Sequence, residues 1–221
     1  MSRPLRILLA VIGPVCVGAL RFLLPYYTAP DSTSSARAVA AHLGQESAVL
    51  WLGLAATLTL APGLYAVRDT LPTGRLRTWA LGLVLIGYLS LPVVLVGDMV
   101  LWTGVQQGLD PARTGALLDG LHPAYGAGLG VFVVAHVLGT VLLGVLCLRG
   151  GVLPTALAWA LTISQPLHFV TTVFLGLPWL DLIAWGLTAV AMGWLAAGAE
   201  PTQRPGLQRL SDRVGTVSRG A

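Results

Sequence analysis

The chain has 221 residues, 55% of them hydrophobic and only 10% charged, against roughly a quarter charged in an ordinary soluble domain. Six spans of about 20 residues each consume most of the apolar content, which leaves no length for a nucleotide-binding or catalytic domain outside a bilayer and excludes a disordered tail protein or a disulfide scaffold. The net charge of +4 comes from 13 arginines and no lysine, a sign of membrane topology and not of nucleic-acid binding.

Apolar runs fall at about 5–24, 47–67, 78–101, 127–148, 153–176 and 179–198. A bilayer interior offers no water to unpaired backbone groups, so each run must be a helix or a barrel strand. No period-2 alternation supports strands. The expectation is an all-α polytopic membrane helix bundle of six transmembrane helices over 1–198.

The first run follows Arg3 and Arg6, Arg21 interrupts its far end, and no A-x-A-like site follows. It is therefore read as a retained helix, not a cleaved signal. Val15 before Cys16 argues against a lipoprotein cysteine, and Cys16 and Cys147 both lie in apolar runs as small core residues.

Placing Arg3 and Arg6 inside puts Arg68, Arg75, Arg77, Arg149, Arg204, Arg209, Arg213 and Arg219 on the same side. Both termini are then cytoplasmic, and the long loops at about 25–46 and 102–126 face outward. The Arg-rich tail at 199–221 carries Leu207, Leu210, Val214 and Val217 at helical spacing, which fits a short helix on anionic lipid or, equally, a polar tail. Ala135 and Gly139, then Ala189, Gly193 and Ala197, are spaced to let helices approach closely.

Ionisable side chains inside a membrane are costly and mark candidate sites. By this topology Glu46 opens helix 2, Asp98 closes helix 3 and Asp181 opens helix 6, all at the outer end. His136 and His168 lie about ten and eight residues below the outer ends of helices 4 and 5. At 1.5 Å per residue both are roughly 12–15 Å deep. His42 and His122 fall in the outer loops.

Ser164, Gln165, Thr171 and Thr172 share the face of His168, a polar stripe interrupted by Pro166. They either bond back to their own helix or face a polar pocket. Arg21 either snorkels to the interface or pairs with Glu46, Asp98 or Asp181. Of seven tryptophans, Trp51, Trp102, Trp179 and Trp185 fall in the outer half. They are candidates for interfacial anchors or for an aromatic lining that binds substrate together with Gln165 and Thr172.

The basic N-terminus, six spans, long outer loop before helix 4, and the stretch Leu138-Gly139-Thr140 through Gly144 to Leu153-Pro154 resemble a family of uncharacterised six-helix prokaryotic membrane proteins over helices 2 to 5. The resemblance implies the fold and carries no activity. High Ala, Gly and Arg usage without lysine matches a GC-rich bacterial coding bias, and so a bacterial cytoplasmic membrane.

Three functions are compatible with these residues. The first is an intramembrane enzyme that isomerises or cyclises an isoprenoid- or sterol-like molecule, with Asp98, Glu46 and Asp181 as candidate proton donors and His136 and His168 as bases or relays. It needs no cofactor or metal. The second is a b-type haem or metal protein with His136 and His168 as ligands, though no HxxxH or HExxH spacing supports zinc. The third is a non-catalytic partner subunit or small transporter. Expected partners are the bilayer and a lipophilic small molecule, with no nucleic acid.

Overall fold

Eight α-helices account for most of the chain in the computed structural model, which describes residues 1–198. In order they are α1 Arg3–Leu23, α2 Ser32–Ala41, α3 Leu43–Val67, α4 Arg75–Gln106, α5 Pro111–Asp119, α6 Ala124–Gly150, α7 Thr155–Val170 and α8 Pro178–Gly198. A 3₁₀ turn, Arg68–Thr70, follows α3, and a π-helical turn, Thr171–Leu175, follows α7. The described residues contain no strand. The expectation for the tail at 199–221 lies outside the described residues.

Five of these segments are long and apolar enough to cross a membrane: α1, α3 with its following turn, α4, α6 and α8. The chain is thus a multi-pass helical membrane protein. The run at 153–176 is divided: α7 has 16 residues, and its continuation to Leu175 is wound as π-helix.

The six long helices form a closed ring in which α1 packs on α3, α3 on α4, α4 on α6, α6 on α7, α7 on α8, and α8 back on α1. Large apolar side chains such as Leu58, Leu89, Ile163 and Val190 are exposed on its outer surface, where lipid tails would meet them. Leu60, Leu91, Leu143, Leu161, Met192 and Leu195 fill its inside.

Small residues set the closest helix approaches. A Cβ on Gly139 would stand 2.5 Å from the Val84 amide nitrogen, and one on Gly87 would stand 2.6 Å from that of His136. Helices α4 and α6 can therefore touch backbone to backbone, the packing by which small residues hold membrane helices together. On the α1–α8 side Gly193 makes room for a Val11 side-chain methyl, which a Cβ there would meet at 2.8 Å.

The segments expected as long loops are folded. Asp31 caps α2 by accepting from the Ser34 amide, and Asp110 caps α5 by accepting from the Arg113 amide. Helices α2 and α5 pack on each other and on α4. Ala36, Val39 and Leu101 form a small core with Tyr26, Leu43, Val105 and Leu118 around it, and Ser32 donates to Asp119 at 2.5 Å. Together they roof one end of the ring.

Candidate functional site

Each of the six long helices contributes one buried or half-buried ionisable side chain near the roofed end: Arg21 from α1, Glu46 from α3, Asp98 from α4, His136 from α6, His168 from α7 and Asp181 from α8. Hydrocarbon makes such groups costly unless they meet partners or water. Most of them do meet partners.

Asp181 is the hub. Its Oδ1 accepts from His168 Nδ1 at 2.5 Å, and its Oδ2 accepts from Arg21 Nε and from the Tyr27 hydroxyl, both at 2.9 Å. Thr172 accepts from Arg21 Nη2 at 3.1 Å and lies 3.3 Å from Asp181 Oδ2. The Arg21 guanidinium also sits over the Tyr27 ring, 4.6 Å from its centroid, a cation–π contact. Arg21 therefore pairs inside the bundle and does not snorkel. With Nδ1 committed to the carboxylate, His168 keeps Nε2 for the cavity that it lines.

That cavity, about 230 Å³, is bounded by α1, α4, α6, α7 and α8. Its polar and aromatic lining includes Arg21, Tyr26, Asp98, Tyr125, His168, Thr172 and Trp185. The Tyr26 hydroxyl donates to Asp98 Oδ1. Two hydrogen-bonded proton-active pairs, His168–Asp181 and Tyr26–Asp98, thus flank one chamber whose remaining wall is leucine, valine and Phe132.

A second layer lies behind His168. His136 is fully buried, with Nδ1 donating to the Phe132 carbonyl at 2.5 Å. Its ring centroid is 5.5 Å from that of His168, and Trp185 stacks on it at 5.8 Å while meeting His168 edge-on at 5.5 Å. Gln165 faces His136 from α7 and donates to Thr188 at 2.9 Å; Thr188 in turn donates to Ser164 at 2.9 Å. The polar stripe of α7 is matched by α8 through Thr188 and Asp181. Two of the stripe's hydroxyls also bond back to their own helix, Ser164 to the Leu161 carbonyl and Thr171 to the His168 carbonyl, both at 2.9 Å.

Local sequence produces this presentation. Pro166 removes one helical hydrogen bond just before His168, and the π-helical turn after it, closed by Gly176 N–H to the Thr171 carbonyl at 2.8 Å, inserts an extra residue per turn. Gly176 ends the turn with φ +61°, a left-handed conformation that favours glycine. Thr172 is thereby brought beside both His168 and Asp181.

Several candidates fall elsewhere. Trp51 and Trp179 are 71% and 51% exposed on the outside of the ring and do not line the chamber. Indole at a helix end gains more at the membrane interface than in a small cavity. Trp102 is half-buried and also absent from the lining. Gln165 packs behind His136 and not against the cavity. Of the four tryptophans, Trp185 alone lines the chamber. Glu46 is fully buried with both carboxyl oxygens unpartnered, within electrostatic reach of Asp98, and stands beside the chamber, not in its lining.

Sequence reasoning missed Tyr26, Tyr27, Tyr125 and Thr188. The pair Pro25-Tyr26-Tyr27 follows the helix that carries Arg21, and tyrosine at a helix exit reads first as an interfacial anchor. Two phenols within six residues of an intramembrane arginine were the available signal.

The residues do not fit a haem held by His136 and His168. A porphyrin needs open space between its two axial imidazoles, and here Phe132 packs on the His136 ring at 4.4 Å while Trp185 packs against both imidazoles. His42 and His122 are exposed and do not join the buried pair. Among the described residues no three His, Cys, Asp or Glu side chains are grouped to hold a metal ion.

The chain matches no family model, no curated protein and no solved structure. The resemblance noted over helices 2 to 5 therefore rests on those sequence features alone, and the site must be read from its own chemistry.

Proposed function

We propose that the protein is an integral membrane enzyme that shifts a double bond, or closes a ring, in a small lipophilic molecule of isoprenoid type by acid–base chemistry. The single observation that carries this reading is the mostly apolar chamber lined by both the Tyr26–Asp98 pair and the His168 imidazole that Asp181 holds. An alkene isomerisation needs a proton delivered to one carbon and another removed from a carbon nearby. No electrons are gained or lost, and no water or co-reactant is consumed.

In this reading the Tyr26–Asp98 pair supplies the proton, and His168 Nε2 accepts the one released. Asp181 orients the imidazole and stabilises its cation, while Arg21 and Tyr27 hold Asp181 ionised and in place. The faces of Trp185 and Tyr125 stabilise cationic character on the substrate without offering a nucleophile. The chamber of about 230 Å³ is below the range typical of drug-sized ligands, roughly 300–1,000 Å³, which favours a short isoprenoid over a sterol.

The same reading completes the topology. Helix α7 with its π-helical turn, running from Thr155 to Leu175, serves as a sixth span. Arg3, Arg6, Arg68, Arg75, Arg77 and Arg149 gather at the end opposite the roof, so the positive-inside bias puts the termini in the cytoplasm and the chamber toward the outside of a bacterial membrane.

Solvent deuterium tests the chemistry whatever the identity of the substrate. Purified protein in lipid nanodiscs is incubated in D₂O with a total lipid extract of the cells that make it, and the extract is analysed by mass spectrometry. A lipid-soluble species gaining deuterium is expected with the native protein, at a rate reduced roughly a hundredfold by His168→Gln or Asp98→Asn. No labelled species, or labelling indifferent to both variants, contradicts the proposal.

A further inference from the structure

A second cavity, larger than the chamber, lies at the other end of the bundle. It is a groove of about 580 Å³ between α3 and α4, reaching from the turn that joins them to Leu85. At the turn its wall is basic and polar, with Arg68, Arg77, Thr73 and Thr78; further along α4 it becomes apolar, with Leu81 and Leu85.

Neither arginine is neutralised by another described residue. Arg68 stands over the Tyr65 ring at 6.0 Å, and Arg77 Nη1 donates to the Leu71 carbonyl at 3.3 Å. No carboxylate is in ion-pair contact with either among the described residues. The first amides of α4 add to this field, since Gly74 at its N-cap has no side chain to satisfy them.

From Gly74 to Leu85 the lining follows about 16 Å of helix at 1.5 Å per residue, close to one leaflet of a hydrocarbon core, roughly 15 Å. A charged mouth with an apolar body of leaflet depth matches one class of ligand. We infer that this groove binds an anionic diacyl phospholipid, its phosphate between Arg68 and Arg77 and one acyl chain along Leu81 and Leu85. Charge complementarity selects the headgroup and groove length selects the chain. The site is independent of the chamber and does not rest on its chemistry.

Native mass spectrometry of the full chain, released from micelles holding equimolar phosphatidylglycerol and phosphatidylcholine, tests the assignment. Retention of phosphatidylglycerol over phosphatidylcholine by roughly tenfold or more is expected. The double variant Arg68→Gln/Arg77→Gln should abolish the preference, while Arg3→Gln, at the same end but outside the groove, should keep it. Gly82 lines the groove and a Cβ there would meet nothing within 4 Å, so Gly82→Leu fills the groove without disturbing the helices. It should displace the lipid although both arginines remain, with the thermal transition unchanged.

Excess inorganic phosphate separates a lipid site from a plain anion site, because it carries the charge without the chain, and it should leave the lipid bound. Equal retention of the two lipids, a preference that survives either groove variant, or displacement by phosphate alone would each overturn the inference.

Discussion

At the scale of single residues, the decisive feature is the asymmetry among the buried carboxyls. Asp181 is fully buried and accepts from His168, Arg21 and Tyr27; Glu46 is equally buried and accepts from nothing. Removing one partner of a buried ion pair leaves the other uncompensated. Asp181→Asn and Arg21→Gln are each expected to lower stability by about 3 kcal/mol, with the double variant costing less than the sum. Thermal unfolding in nanodiscs measures this, and additive losses would mean that the two groups do not interact. Replacing Glu46 should act in the opposite sense. Glu46→Met removes two unpaired buried oxygens and should stabilise the fold by about 1–3 kcal/mol while slowing the deuterium exchange if Glu46 tunes Asp98. A destabilised Glu46→Met protein would mean that the carboxyl has a structural partner.

Elements show what could be read from the chain and what could not. The apolar runs match α1, α3, α4, α6, α7 with its turn, and α8 to within two residues wherever a run overshoots its helix, because burial in hydrocarbon leaves a length signal that few other pressures produce. Helices α3, α4 and α6 extend beyond their runs, α4 to Gln106 most of all, since a helix has no reason to stop where the hydrocarbon does. The roof helices were invisible to an apolarity reading: α2 and α5 are short and weakly hydrophobic, and only Asp31-x-x-Ser34 and Asp110-Pro111 marked their starts. The common depth of His136 and His168 followed from counting residues. Which residues meet them from α8 depended on helix rotation, which spacing within one helix does not encode.

Two expectations belong to this scale. The Ser34 amide holds Asp31 below the ordinary carboxylate value of 3.8, so capping stabilises α2 above that value and is lost as the pH falls through the lowered one. Exchange protection of the Ser34 and Ser35 amides should therefore be constant from neutral pH to about 4 and decline below it; protection that declines at higher pH would contradict the cap. A side chain at Gly87 would press on the His136 backbone. Gly87→Val should cost about 1–3 kcal/mol and move His136, with the emission of Trp185, stacked on that ring, shifting in step. An unperturbed spectrum would mean that α4 does not approach α6 so closely.

Across the whole molecule, the ring of six long helices puts two unlike cavities at its two ends. One is small, roofed and lined by paired proton-active groups; the other is larger, basic at its mouth and apolar along its depth. Under the proposed orientation, a cysteine placed at Thr33 in the roof should react with impermeant maleimide from outside intact cells, and one placed at Thr73 should not. The reverse pattern would invert the topology and put the chamber toward the cytoplasm.

The fold and the proposed chemistry both depend on ionisable groups from separate helices meeting in pairs inside the bundle. Magic-angle-spinning NMR of His-, Asp- and Tyr-labelled protein in lipid bilayers tests that directly. Cross-peaks are expected between the His168 imidazole and the Asp181 carboxyl and between the Tyr26 ring and the Asp98 carboxyl. Absence of both, with the two carboxyls correlating to bulk water instead, would contradict it.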